Sequence, residues 1–142
     1  MATYNKFNAF VANMANGGVN LGSDTLKVML TNTAPVATNS VYTDITGEVS
    51  GVNGYTTGGG SVTGISSTQT GGLYTLSGSQ VQWSASGGTI GPLRYAVLYD
   101  SAGSKDLIAW WDYGSSITLN SGDTFTWEPN GVSSGGTIFT LS

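Results

Sequence analysis

After residue 25 the chain is written mostly in period two. In TLKVMLT, Leu26, Val28 and Leu30 share one face of an extended segment and Lys27 lies on the other. In SQVQWSAS, Val81 and Trp83 alternate with Gln80, Gln82 and Ser84. VTGISSTQT and LYTLSG are further short strand candidates, set apart by glycine pairs. The strongest two are GPLRYAVLYD and KDLIAWWDYG, with DSAGSK between them as a hairpin turn. SITL, DTFTWEP and GTIFTLS close the chain. About eight or nine short strands at such regular spacing predict a sandwich or barrel.

Before residue 25 the period changes. Phe7, Phe10, Val11 and Met14 fall at i, i+3, i+4 and i+7, one stripe of a helix that Gly17 and Gly18 would stop. The stripe must bury against this domain's own sheet or against a partner. TNTAPVATNS reads as a loop, because Pro35 cannot continue a ladder. VYTDITGEVSGVNGYTTGGGS predicts a glycine-rich loop with one short helical turn around Asp44 to Val49. The expected organisation is a helix or arm over residues 1–20 and a β-sandwich domain over 21–142. The fold class is all-β: a single-domain antiparallel sandwich with a short N-terminal helix or arm.

Neighbouring residues on a strand point to opposite faces, so Trp110 and Trp111 of LIAWWDYG do not share a surface. Strict alternation groups Leu107, Ala109, Trp111 and Tyr113 on one face and Ile108, Trp110 and Asp112 on the other. On the preceding strand it groups Leu93, Tyr95, Val97 and Tyr99 against Arg94, Ala96 and Leu98. Strands that are apolar on both faces are covered on both sides. One side is then the inner core of the sandwich. The other needs the helix, a loop or another subunit, and Trp110, which shares its face with Asp112, is expected there. The competing reading is a sugar platform of exposed aromatics two apart on one face. Trp111 with Tyr113 meets that condition if their face is open.

Composition narrows the chemistry. A chain of 142 residues suits one domain with a core of its own. It has no cysteine and no histidine, which removes disulfides, thiolate and imidazole metal sites, cysteine nucleophiles and Ser-His-Asp triads. Only 8% of residues are charged, with a net charge of −4; the ordinary charged share is about a quarter. With no basic cluster, nucleic-acid binding by phosphate neutralisation is not expected. A surface of Ser, Thr, Asn and Gly is cheap to desolvate and suits a protein that lives against neighbours. MATYNKFNAFVANMANGG has no apolar run of signal-peptide length, and no stretch approaches the ~20 apolar residues of a membrane helix. The expectation is a cytoplasmic product, without a membrane partner, that is soluble until it meets its partner.

The carboxylates offer two constellations. Asp112 and Glu128 sit near apparent strand ends, and a glycosidase needs two facing carboxylates roughly 5 to 10 Å apart. Nothing in their spacing demands that use, and solvated strand-end charge is the simpler reading. Asp100 and Asp106 flank the hairpin turn and could hold calcium with backbone carbonyls. The turn lacks the regular alternation of oxygen ligands such sites use. YTTGGGS lacks the lysine and following helix of a phosphate loop. Arg94 lies mid-strand among apolar residues and needs a partner, for which Asp112 on the adjacent strand is the candidate. No arrangement points to an enzyme, and no catalytic residue, cofactor or metal is expected.

Four segments carry a resemblance over nearly the whole chain: NKFNAFVANMANGGVNLGSDTLKVMLTNTAP, NGYTTGG, GPLRYAVLYD and LIAWWDYGSSITLNSGDTFT. They resemble a family of small virion structural proteins of tailed bacteriophages and prophages, similar to capsid cement (decoration) proteins. The resemblance implies a jelly-roll-like or related sandwich on the capsid exterior that clamps adjacent capsomers and stabilises the head. It implies the major capsid protein and further copies of the chain, as homodimer or homotrimer, as partners. Contact residues are expected among apolar positions left over from a simple sandwich core: Tyr4, Phe7 and Phe10, Tyr55 of the glycine-rich loop, and Trp110. The reading from a different class is a tail or fibre component, or a carbohydrate-binding module using aromatics near Asp112.

Overall fold

The computed structural model describes residues 2–131 and 135–142. Strand β1 (Thr3–Lys6) leads into helix α1 (Asn8–Ala15), and β2 (Leu26–Thr31) is followed by a long loop. Then come β3 (Gly60–Ser61), β4 (Ser66–Thr70), β5 (Leu73–Gly78), β6 (Val81–Ser84), β7 (Ile90–Asp100), β8 (Leu107–Leu119), β9 (Thr124–Trp127) and β10 (Gly136–Leu141). The main sheet has the order β1-β8-β7-β2-β3; β10-β5-β4 and β6-β9 form two smaller sheets. Every strand pairing is antiparallel. The protein is an all-β sandwich with one short α-helix among the described residues.

The main core lies between these layers. Leu26, Val28 and Leu30 of β2, Ala96 and Leu98 of β7 and Ile108 of β8 meet Leu76, Ile138 and Phe139 on one side. Val81, Trp83 and Trp127 from the β6–β9 pair complete it. The alternation in VQWS is kept: Val81 and Trp83 are buried, Gln82 and Ser84 exposed.

The N-terminus is not a free arm. Residues 3–6 form the edge strand of the main sheet, with Tyr4 opposite Trp111 and Lys6 opposite Ala109. Four residues of mixed polarity, TYNK, are too short to show a period. The helix starts after them and ends at Asn16, where Gly17 takes φ +81. Of the predicted stripe, Phe10 is buried in the main core and Met14 packs against it, whereas Val11 is exposed. The helical turn in the long loop is a 3-10 turn at Tyr42–Asp44, not at 44–49. Asp44 fixes its place, because its carboxylate accepts the N–H groups of Ser40 and Val41 at 2.8 and 3.1 Å. SITL is the end of β8 rather than a strand of its own.

Toward its turn, over Ala96–Asp100 and Leu107–Ala109, the β7–β8 hairpin is buried on both faces, as its sequence requires. Its second face carries a smaller cluster of Phe7, Met29, Val97, Tyr99 and Leu107, with Tyr42, Ile45 and Trp110 packed on it. The cover is therefore the long loop together with Phe7. Trp110 and Trp111 do point to opposite faces: Trp110 stacks on Phe7 at 4.5 Å, and Trp111 meets Trp127 at 5.2 Å. The β7–β8 pairing has three register shifts, and two of them break the expected grouping. Leu98 pairs with Ala109 but Tyr99 pairs with Leu107, so Ile108 is an extra residue that turns Leu107 onto the face of Trp110. A second shift, between Leu93 and Tyr95, puts Leu93 in the main core with Ala96 and Leu98.

Phe7 is fully buried at the centre of the smaller cluster. Phe7→Ala is expected to lower the unfolding free energy by about 3–5 kcal/mol, measured by urea denaturation. Val11→Ala, on the exposed side of the same segment, is expected to change it by no more than about 0.5 kcal/mol.

Candidate binding groove

The positions expected to meet a partner divide sharply. Phe7, Phe10 and Tyr55 are at most 2% exposed, so they belong to this chain's own core and are unavailable as a docking face. The helix stripe and the loop tyrosine found their partners inside the domain. Trp110 is half-buried beneath Phe7. Tyr4 alone stands well clear, at 39% exposure.

Tyr55 serves a carboxylate hub that holds the long loop on the sheet. Glu48 accepts the Tyr55 hydroxyl at 2.8 Å, the Tyr42 hydroxyl at 2.5 Å and the Gly58 N–H at 2.6 Å. Tyr55 in turn accepts the Leu30 N–H at 3.0 Å, and Tyr99 donates to the Gly58 carbonyl at 2.7 Å. Burial, then the Glu48 charge, pushes the Tyr99 hydroxyl up to about 12. The Tyr42 and Tyr55 hydroxyls are pushed up by burial first and then by their hydrogen bonds to the charged Glu48, with the Leu30 N–H opposing at Tyr55. All three tyrosines are thus held as neutral donors.

On the opposite face, Tyr4 and Trp111 open onto a groove of about 350 Å³ at the β1 edge of the main sheet. Tyr113 of β8 and Phe125 and Trp127 of β9 complete its aromatic lining. The rings meet edge to face: Tyr4–Trp111 at 5.5 Å, Trp111–Trp127 at 5.2 Å and Tyr113–Phe125 at 5.8 Å. Tyr113 is 53% exposed, so the face bearing Trp111 and Tyr113 is open at this end. The indole N–H of Trp127 is buried without an acceptor among the described residues.

Polar groups edge the groove. Arg94 reaches Asp112 through two hydrogen bonds, Nε to Oδ1 at 2.8 Å and a terminal nitrogen to Oδ2 at 3.1 Å. The partner expected for the mid-strand arginine is the one it has. The Arg94 hydrogen bonds, helped by the Gly114 N–H, hold the Asp112 carboxyl below the usual carboxylate range. That is the wrong direction for a general acid, and Asp112 is instead the partner of Arg94. Glu128, Asn130, Thr126 and Thr137 supply further hydrogen-bonding groups. The arrangement suits binding a flat apolar group with a few directed hydrogen bonds.

The hairpin turn between Asp100 and Asp106 is closed by its own bonds: Asp100 N–H to the Asp106 carbonyl at 2.9 Å, and Ala102 N–H to the Asp100 carboxyl at 2.9 Å. Among the described residues, no group of three or more acidic side chains gathers in a metal-holding arrangement. Glu48, Phe125 and Trp127 escaped the sequence reading. The period-two spacing in TFTW put Phe125 and Trp127 on one face, but nothing local said they would meet Trp111. Comparison with protein-family models, with curated proteins and with solved structures returns no match.

Removing the hub carboxylate strands three donors and frees the loop. Glu48→Ala is expected to cost about 2–3 kcal/mol of stability in a urea titration. Amide exchange in residues 41–59 should accelerate more than in β7.

Proposed function

We propose that this chain is a capsid decoration (cement) protein that docks on the outer surface of an icosahedral phage head and clamps adjacent capsomers. The observation that carries the reading is the open aromatic groove, with Tyr4 39% and Tyr113 53% exposed on a chain that is only 8% charged. Aromatic residues are enriched at the centres of protein interfaces, where charge is depleted. The contact face moves accordingly: Tyr4 is kept from the expected set, and Trp111 and Tyr113 replace Phe7, Phe10 and Tyr55. The major capsid protein and further copies of this chain are the partners. A dimer or trimer that spans several capsid subunits gains through effective concentration even when each contact is modest.

Quantitative mass spectrometry of purified virions is the direct test. A ratio to the major capsid protein near one, or a simple fraction of it, is the expected result. A few copies per particle would point to a tail or fibre component, and absence from the particle would sink the proposal.

A carbohydrate-binding reading is favoured by one observation: Trp111 and Tyr113, two apart on β8, line the same open groove. The double variant Tyr4→Ala, Tyr113→Ala separates the two readings. On the decoration reading it folds normally and loses capsid occupancy by at least about tenfold. The wild-type protein then shows no saturable tryptophan fluorescence change across a panel of host-surface glycans. A saturable change abolished in the double variant would transfer the groove to a sugar ligand.

A further inference from the structure

Asp100 closes β7, and its side chain is 1% exposed. Its Oδ1 accepts the Ala102 N–H at 2.9 Å, but its Oδ2 is buried with no N–H or O–H donor among the described residues. What lies within hydrogen-bonding reach is a second carboxyl, that of Asp24 in the loop entering β2. Asp24 is itself pinned, because its Oδ2 accepts the Asn20 N–H at 2.8 Å. The backbone holds the two together independently of their charge. Leu26 pairs with Asp100, and the Thr25 carbonyl accepts both the N–H and the hydroxyl of Ser101, at 2.9 and 2.7 Å. Two carboxylates cannot hydrogen-bond each other; two carboxyls with one proton can.

We infer that Asp24 and Asp100 share a proton, and that this proton fastens the loop between α1 and β2 onto the β7–β8 turn. The same loop carries Val19 and Leu21 into the main core. The charged groups acting on Asp100 are Asp24 from the loop and Asp106 from across the turn, and among the described residues no basic side chain offsets them. Burial is the largest cause pushing the Asp100 carboxyl up to about 6, with Asp24 and Asp106 adding to it. Asp24 moves the other way, held below the usual range first by the Asn20 N–H and then by Asp100. The opposite shifts are those of a carboxylic acid on Asp100 donating to a carboxylate on Asp24.

The sign follows from linkage. A folded-state value of about 6 for Asp100, against roughly 3.9 when unfolded, means its contribution is whole below about pH 4 and is lost as pH rises through 6. Asp24, shifted down, contributes above its unfolded value and loses that contribution as pH falls. The fastening is therefore best between about pH 4 and 6 and loosens above.

The test is carboxyl carbon NMR titration of the wild-type protein, joined to amide exchange of residues 18–25 corrected for intrinsic rates. An upper midpoint for the pair near 6 and an exchange rate in the loop rising about tenfold or more from pH 5 to 7.5 are expected. Asp100→Asn carries a permanent N–H donor toward Asp24, so its loop should stay protected at both pH values. Both midpoints below about 4.5, or corrected exchange independent of pH in the wild type, would overturn the inference. So would an Asp100→Asn loop that opens as the wild type does. Calcium at pH 7.5 is the remaining arm: full protection restored by calcium alone would replace the proton with a cation and equally overturn it. If Asp100→Asn does not fold, the wild-type titration decides.

Discussion

The fold hangs on one constraint: the β7–β8 hairpin is apolar on both faces, and neither face can be left to water. Burying one large apolar side chain is worth about 1.5–3 kcal/mol, so covering a whole second face matters to a domain of marginal stability. The first face is covered by the β10-β5-β4 and β6-β9 strands, which gives the sandwich. The second has no sheet to cover it, and the chain uses the long loop after β2 and the single residue Phe7 instead. The edge strand β1 runs along β8 and delivers Phe7 onto Trp110. The N-terminus is thus part of the sandwich and not an appendage to it.

A loop can serve as a core cover only if its own polar groups are satisfied. Here that task falls to a carboxylate. Glu48 gathers two tyrosine hydroxyls and a backbone N–H. Segment 46–49 pairs with the end of β2 through Val49 N–H to the Leu30 carbonyl and Asn32 N–H to the Gly47 carbonyl. The loop then crosses close over β2 at Gly59, where φ is +79 and an added Cβ would fall 1.8 Å from the Val28 carbonyl oxygen. Only glycine fits that crossing. The runs of glycine in this region are permissions for close backbone approach, not slack.

The aromatic groove is where the covering of the first face stops short. Trp111 is roofed by Trp127, but two residues further along β8 Tyr113 is left half in water, and Tyr4 stands beside them on the sheet edge. A groove of this kind keeps apolar surface open at the edge of an otherwise closed core, and the Arg94–Asp112 pair fixes a polar landmark next to it. The decoration reading uses that opening as the point where the chain's own sandwich ends and a neighbour's surface continues it.

Much of this was legible in the residues. Alternation and turn signals marked β2 and β4 to β10, because a strand's side-chain pattern and the glycines that bound it are local properties of the chain. The opposed faces of Trp110 and Trp111 and the glycine stop after α1 follow from the same local geometry, and the Arg94–Asp112 pair from the need of a mid-strand charge for a partner. What alternation could not carry was a bulge: one extra residue at Ile108 moved Leu107 to the other face, and bulges are set by pairing between strands. Nor could it place residues that have no period of their own. TYNK became a strand because β8 had a free edge, and Phe7, Phe10 and Tyr55 went inward because the apolar hairpin, the core and Glu48 were there to receive them. The sequence by itself determined most of the strands, the two-sidedness of the β7–β8 hairpin and the scarcity of charge, since these depend on residue identity and on neighbours one or two residues away. Only the tertiary structure decided which apolar residues stay outside to form a groove, because exposure is settled by what segments distant in the chain leave uncovered.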